Sequence, residues 1–252
     1  MIEITRQLVA ILVISSSGMA FAQPVEVAAA PDPRLVYSNK SPSWLGAVGK
    51  LYVPGIKYEQ GHGTHHRENC SATLVTDRPR ASADTIITAW HCIEHYKDLS
   101  KPITFTIFPG SMTTMSFDAY RLEDGGAMTA DWAILKLIQP IPVTTVTALI
   151  THSDRADPRR PVLMAGYSAD NGMGNGGGHL TYDPSCTIVR QQFHRSDSNC
   201  RAFRGASGGA VIQVSAQGEP LLSGVISQGN GTDLSIFVPV AGFRRAINRS
   251  LQ

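Results

Sequence analysis

Residues 70–92 read CSATLVTDRPRASADTIITAWHC. Two short runs in it, 71–76 and 85–89, are rich in β-branched and apolar residues, and Asp77 and Pro79 interrupt the chain between them. Runs of that length bounded by turn formers read as β-strands. The same texture extends in both directions, with runs at 47–53, 103–108, 132–138, 162–167, 187–191, 210–214, 221–227 and 235–240 separated by Gly, Pro, Asp and Asn. Many short strands spaced this way indicate an all-β sandwich or barrel. Only the C-terminal end carries a helical period. Val240, Phe243, Ile247 and Leu251 share one stripe and Arg244, Arg245 and Arg249 lie off it, which predicts a short helix packed on the β-structure. The segment 139–161 holds Pro140, Pro142, Pro158 and Pro161 and little regular pattern, so the crossing between two halves is placed there.

The 252 residues suit one large domain or two small ones, and a 42% hydrophobic share is ordinary for a globular protein. Lys and Arg number 22 against 20 Asp and Glu. The basic residues fall in scattered pairs such as Arg159 with Arg160, which describes a solvated surface and excludes a nucleic-acid patch. The first 22 residues contain Arg6, an apolar run at 8–14 and then Ala20, Phe21 and Ala22, the pattern of a secretory signal peptide cut after Ala22. A membrane span needs about 18 apolar residues in a row, and Ser15, Ser16, Ser17 and Gly18 end this run early. The expected mature protein is therefore secreted or periplasmic and makes no use of a membrane. Residues 23–43, rich in Ala and Pro, are expected to be an N-terminal arm or propeptide ahead of a domain at 44–252. Export makes Cys70, Cys92, Cys186 and Cys200 candidates for two disulfides, with three connectivities open.

Hydrolysis of a peptide bond by a serine needs a base for the hydroxyl proton, an acid to hold that base in the right tautomer, and donors facing the developing oxyanion. The chain offers one candidate segment for each. Ser207 lies in Arg204-Gly205-Ala206-Ser207-Gly208-Gly209, where flanking glycines let the backbone turn tightly and bring amides close to a substrate carbonyl. The amides of Gly205 and Ser207 are the expected oxyanion donors. His91, in Ile87-Thr88-Ala89-Trp90-His91-Cys92, stands where an apolar strand ends and is the candidate base. Asp131 heads the run Asp131-Trp132-Ala133-Ile134-Leu135-Lys136-Leu137 and is the candidate acid. Each segment alone is weak evidence, since such serines usually sit in plain turns and such histidines and aspartates are usually structural. Their joint occurrence in the order His, Asp, Ser carries the weight.

These three segments resemble the catalytic blocks of the chymotrypsin-like serine peptidases. With Cys70 ahead of the histidine and Gly224-Val225-Ile226-Ser227-Gln228-Gly229 after the serine, the resemblance spans about residues 44–240. It implies two antiparallel Greek-key β-barrels, the first at about 44–140 and the second at about 160–240. The active site would lie in the cleft between them, with His91 and Asp131 from the first barrel and Ser207 from the second. It implies the pairings Cys70 with Cys92 and Cys186 with Cys200. It implies that Ser227 hydrogen-bonds the Asp131 carboxylate and that Ser227, Gln228 and Gly229 form the strand that pairs with the backbone of an extended polypeptide substrate. No cofactor and no metal are implied.

The sequence departs from that family at several points: Trp90 stands where a small residue is usual, Ala206 where many members carry an aspartate, and no Ile-Val-Gly-Gly activation sequence occurs near residue 44. These features are similar to the bacterial glutamyl-endopeptidase-like branch. Arg201, six positions before the serine, is expected to disfavour cationic substrate side chains. Because Ala206 cannot accept a freed N-terminal ammonium, the oxyanion site is expected to be preformed, and chains starting anywhere between Gln23 and Ser43 to be similarly active.

Other readings compete. His91-Cys92-Ile93-Glu94-His95 fits the H-x-x-E-H pattern of a zinc metallopeptidase, but that chemistry needs a helix here, and the β-branched strand before it argues against one. His62, His65 and His66 are read as solvated side chains of a glycine-rich surface loop. Gly172-Met173-Gly174-Asn175-Gly176-Gly177 matches G-x-G-x-x-G but leads into a strand, not the helix a dinucleotide site requires, and is read as a loop. A catalytically inactive peptidase fold used for binding is the alternative from a different class.

Overall fold

The computed structural model describes residues 31–96, 101–108 and 113–252; the proposed signal peptide at 1–22 lies outside the described residues, as does the start of the 23–43 segment. Strand β1 is Leu35–Val36. Next come β2 (Val48–Glu59), β3 (His62–Thr76), β4 (Ser82–Thr88), β5 (Ile103–Ile107), β6 (Met115–Asp124) and β7 (Ala133–Pro142), then β8 (Leu149–Thr151). The remainder is β9 (Val162–Gly166), β10 (Thr181–Cys186), β11 (Ile188–Gln191), β12 (Ser196–Ser198), β13 (Ala210–Val214), β14 (Pro220–Gly229), β15 (Ser235–Pro239) and one helix, α1 (Arg244–Ser250).

The antiparallel pairings β2–β3, β3–β4, β4–β7, β7–β6, β6–β5 and β5–β2 return to their starting point and close a six-stranded barrel. Its interior follows the period of two: Ile103, Phe105 and Ile107 are fully buried while Thr104 and Thr106 between them are half-buried. Leu51, Leu74, Ile86 and Leu135 fill the same interior, while Ile134 is buried on the opposite face of its strand. The second half repeats the plan. β9 pairs with β10 and β13, β13 with β14, β14 with β15, β15 with β12 and β12 with β11. β10 runs into β11 through Thr187, whose N–H donates to Asn199 Oδ1 and whose carbonyl accepts the Asn199 N–H. Counted as one bent strand, β10 and β11 complete a second ring with the cyclic order of the first. Phe237, Val211, Ile226 and Met164 lie in its core. β8 joins the halves through the parallel pairings, with β3 on one side and β14 on the other.

Several elements lie outside the runs marked in the sequence. β6, β10 and β12 carry Asp, Arg, Pro or Ser and too few apolar residues to stand out. The β2–β3 hairpin reaches much further than its apolar part, pairing Glu59 with His62 across a two-residue turn at Gln60 and Gly61, both with positive φ. The expected histidine loop is thus corrected: His62, His65 and His66 belong to the outer half of β3, opposite Glu59, Ile56 and Gly55. At the C-terminus Val240, Phe243, Ile247 and Leu251 are buried as the stripe required, and the Phe243 ring stacks on Trp132 with centroids 4.7 Å apart. Arg244 is half-buried, however, with Nη1 3.0 Å from Thr151 Oγ1.

Part of the 23–43 segment is built into the domain. β1 pairs with β10, the Tyr37 N–H donates to Leu180 O at 2.9 Å, and Arg34 is 3% exposed.

Candidate active site

Strand β4 ends at Thr88, and the chain then enters a single 3-10 turn, Trp90–Cys92, that carries His91 at the barrel rim. Trp90 is partly buried against the hydrophobic core. Asp131 lies two residues before β7 and has no solvent exposure. Its carboxylate accepts three kinds of donor: the His91 backbone N–H at 2.9 Å, the His91 ring Nδ1 at 2.9 and 3.1 Å, and the Ser227 hydroxyl at 2.5 Å. A buried carboxylate is costly unless each oxygen has such partners. Two donors come from the first barrel and one from β14 of the second, so this carboxylate is assembled only when both barrels are in place. The arrangement fixes the imidazole tautomer, with Nδ1 carrying the proton toward Asp131 and Nε2 left as an acceptor on the cleft side.

Ser207 lies in the turn between Cys200 and β13. Cys92 Sγ is 3.9 Å from His91 Nε2 and 3.9 Å from Ser207 O, which places the imidazole and the serine backbone beside one sulfur. The Ser207 hydroxyl takes no part in the His91–Asp131–Ser227 hydrogen bonds.

The peptides that carry the two expected oxyanion donors are held by their carbonyls. Arg204 O accepts the Ala169 N–H at 2.7 Å, and Ala206 O accepts the Gly209 N–H at 2.9 Å. In a planar trans peptide the N–H points opposite to the carbonyl, so the Gly205 and Ser207 amides are both turned away from those anchors. Gly205 must be glycine: its φ is +89°, and a Cβ would stand 2.5 Å from Tyr167 O.

Ser71, at the start of the apolar part of β3, links these pieces. Its hydroxyl donates to Gly205 O at 2.9 Å and accepts the Tyr167 N–H at 2.8 Å, while its own N–H donates to Ser207 O at 2.8 Å. Nothing in the sequence singles it out except its place after Cys70. A second unforeseen residue is Arg34. Its guanidinium contacts Asp32 at 2.6 Å and Asp170 at 2.8 Å, and its Cζ lies 4.1 Å above the Phe203 ring. Asp170 follows Ala169 and Phe203 precedes Arg204, the two residues of the carbonyl anchor. This narrows the tolerance expected for the N-terminus, since a chain starting beyond Arg34 lacks the contact.

Cys70 is joined to Cys92 with Cα atoms 6.2 Å apart, and Cys186 to Cys200 at 5.0 Å, the pairs the resemblance implied. The sulfurs of Cys70 and Cys92 lie within 4.8 Å of a His91 ring nitrogen, but as disulfide sulfurs they offer no thiolate to a metal. The zinc pattern fails on geometry, because the segment makes one 3-10 turn rather than a helix; Glu94 is exposed and the His95 ring packs edge-on against His66 at 4.9 Å. Gln228 and Gly229 continue β14 beyond Ser227, both exposed and paired with Ile236 and Ser235. Arg201 does not reach outward. Its Nε donates to Thr232 O at 3.1 Å and its Nη1 is 3.7 Å from Asp32.

The Trypsin family model matches residues 52–247. No curated protein sequence matches the chain. Among solved structures, a Glu endopeptidase in complex with MPD superposes with a TM-score of 0.61 at 19% identity, covering 89% of this chain and 99% of that one. A thermostable serine protease, AL20, from an extremophilic microorganism gives 0.59 at 16% identity, with 83% and 98% covered. The two likenesses bear on the fold, and the family match extends from β2 into α1, so the chain belongs to the trypsin family of serine endopeptidases.

Proposed function

We propose that the protein is an exported endopeptidase that hydrolyses peptide bonds through an acyl-enzyme on Ser207. His91 Nε2 takes the serine proton as the hydroxyl attacks the scissile carbonyl, then returns it to the leaving amine, and the second half-reaction repeats the exchange with water. Asp131 keeps the imidazole in its tautomer and stabilises the imidazolium. The amides of Gly205 and Ser207 receive the oxyanion, and Ser227, Gln228 and Gly229 offer backbone to the acyl half of an extended substrate. The observation that carries this reading is the His91–Asp131–Ser227 chain of hydrogen bonds beside a Ser207 turn whose two amides are turned free by their anchored carbonyls. The step from Ser207 to His91 requires their approach to about 2.6–3.2 Å, a distance that substrate binding commonly completes.

Two disulfides among the described residues suit an oxidising compartment, and no described helix is long and apolar enough to cross a membrane. Ser207→Ala should lower turnover of a protein substrate by about a millionfold, as in other triads acting as a unit. A phosphonylating reagent should label Ser207 and spare Ser227. Undiminished hydrolysis by Ser207→Ala would overturn the reading, and absence of hydrolysis in the unaltered protein would favour the inactive binding alternative.

A further inference from the structure

Two large cavities flank the Ser207 turn, and they differ in charge. One, of about 410 Å³, includes Ser227 and Gln228 with Phe193, Ile236 and Val238; its Arg195 lies 2.8 Å from Asp197, a carboxylate it shares with Arg190. The other, of about 420 Å³, includes Gly205 and Cys70 and is edged by Lys50, Arg67 and Arg204. Gly205 is the expected oxyanion donor, so the scissile carbonyl lies between the two. A substrate whose acyl half runs along β14 places its leaving half in the second cavity.

Among the described residues Lys50, Arg67 and Arg204 have no carboxylate at ion-pairing distance. The acidic group on that wall, Glu68, is bound to His66 Nε2 at 3.0 Å. Lys50 Nζ lies 5.9 Å from the Tyr167 ring centroid. Burial raises the Tyr167 phenol far above its ordinary range, with Tyr37 adding to the shift, so this ring is a neutral floor. On the acyl side, by contrast, Arg201 is already engaged by Asp32 and the Thr232 carbonyl. Of the Lys and Arg residues that line the two cavities, those without a carboxylate partner therefore lie after the scissile bond; on the acyl side the further cation is Arg155, which lies over the Phe193 ring.

We propose that the cavity edged by Lys50, Arg67 and Arg204 receives an acidic side chain of the substrate, so that the enzyme favours Asp or Glu one or two residues after the cut; this rests on the peptidase reading above. Arg67 and Arg204 are exposed and Lys50 is half-buried, and pairs that water reaches are individually weak and screened by salt. Their combined effect is therefore selectivity of modest size, with attraction of an acidic residue and repulsion of a basic one both contributing.

The test uses quenched fluorogenic peptides that share one acyl half and carry Glu, Gln or Lys at the first and second positions after the cut. A thioester of the same acyl half, which has no residue in the cavity, is measured beside them. Glu should exceed Lys by about tenfold in kcat/KM at low salt, and the ratio should shrink in concentrated NaCl. In the combined variant Lys50→Met, Arg67→Gln, Arg204→Gln the ratio should fall to within about twofold of unity. Equal or better cleavage with Lys in the unaltered enzyme, or a ratio that survives the combined variant, overturns the proposal while thioester turnover leaves the peptidase reading standing. Failure to hydrolyse the thioester as well as the peptides overturns that reading and this inference with it.

Discussion

Replacing Arg34 by Met keeps most of the aliphatic stem and removes the guanidinium. The side chain of Arg34 is 2% exposed, and its two partners, Asp32 and Asp170, are 25% and 13% exposed. Removing one partner of a fully buried pair costs about 3–5 kcal/mol; because water still reaches these carboxylates, roughly 2–4 kcal/mol is expected here. For a unit of the size of residues 32–252, each kcal/mol moves Tm by about 2–4 °C, so Tm should fall by roughly 5–15 °C. Turnover should fall as well, for a separate reason. Arg34 touches Asp170 and Phe203, the neighbours of Ala169 and Arg204, and the Ala169–Arg204 hydrogen bond turns the Gly205 amide outward. Loss of one oxyanion donor costs about 10²–10³ in kcat, and partial loss of its alignment should cost about tenfold, measured well below the variant's own Tm.

The pH dependence checks the same contact. The hydrogen bond from Arg34 lowers the Asp32 carboxyl below its ordinary value. Burial pushes Asp170 up, but the hydrogen bonds from Arg34 and the Gly174 N–H outweigh it and leave it lowered. A depressed folded value gives stability that is complete above the unfolded carboxyl, about 3.9, and is lost as pH falls through the folded value. The Tm gap between the unaltered protein and Arg34→Met should therefore be constant near neutrality and narrow below about pH 4. Adding Asp170→Asn to Arg34→Met should recover part of the lost Tm, since it removes an unpaired charge. If Arg34→Met keeps both its kcat and its Tm, the contact neither stabilises the domain nor aligns the oxyanion loop.

Ser71→Ala strips the buried Tyr167 N–H and Gly205 carbonyl of their shared partner. At about 1–3 kcal/mol for each unsatisfied group, denaturant midpoints should drop clearly at unchanged m; a variant as stable as the parent would mean the hydroxyl is dispensable. Ser227→Ala removes one donor from Asp131, a hydrogen bond to a charged group worth about 1.5–3 kcal/mol. It should lower kcat by about 10- to 100-fold with little change in KM, and steady-state kinetics that show KM alone moving would contradict that role.

Much of the fold was legible because barrel strands announce themselves by apolar side chains on alternate positions, as in Ile103, Phe105 and Ile107. The C-terminal stripe and the His91, Asp131 and Ser207 segments could be read for a similar reason: each is a short pattern whose meaning is local. Strands such as β6, β10 and β12 escaped because their partners, and not their own composition, make them strands. Their backbone groups pair with β5, β9 and β11 while their side chains remain mixed. The histidines of β3 were misplaced for the same reason, since the outer hairpin is held by register with β2 and buries little.

The site divides along the same line. By itself the sequence supplied the residue types that hydrolysis needs and, through Ala206, the requirement that the oxyanion loop be held by something other than a captured terminus. Which contacts hold it was decided only in three dimensions. Ser71 reaches Gly205 across 134 positions and Arg34 reaches Asp170 across 136, and no local pattern can encode a hydrogen bond whose two ends meet only once distant segments have folded together.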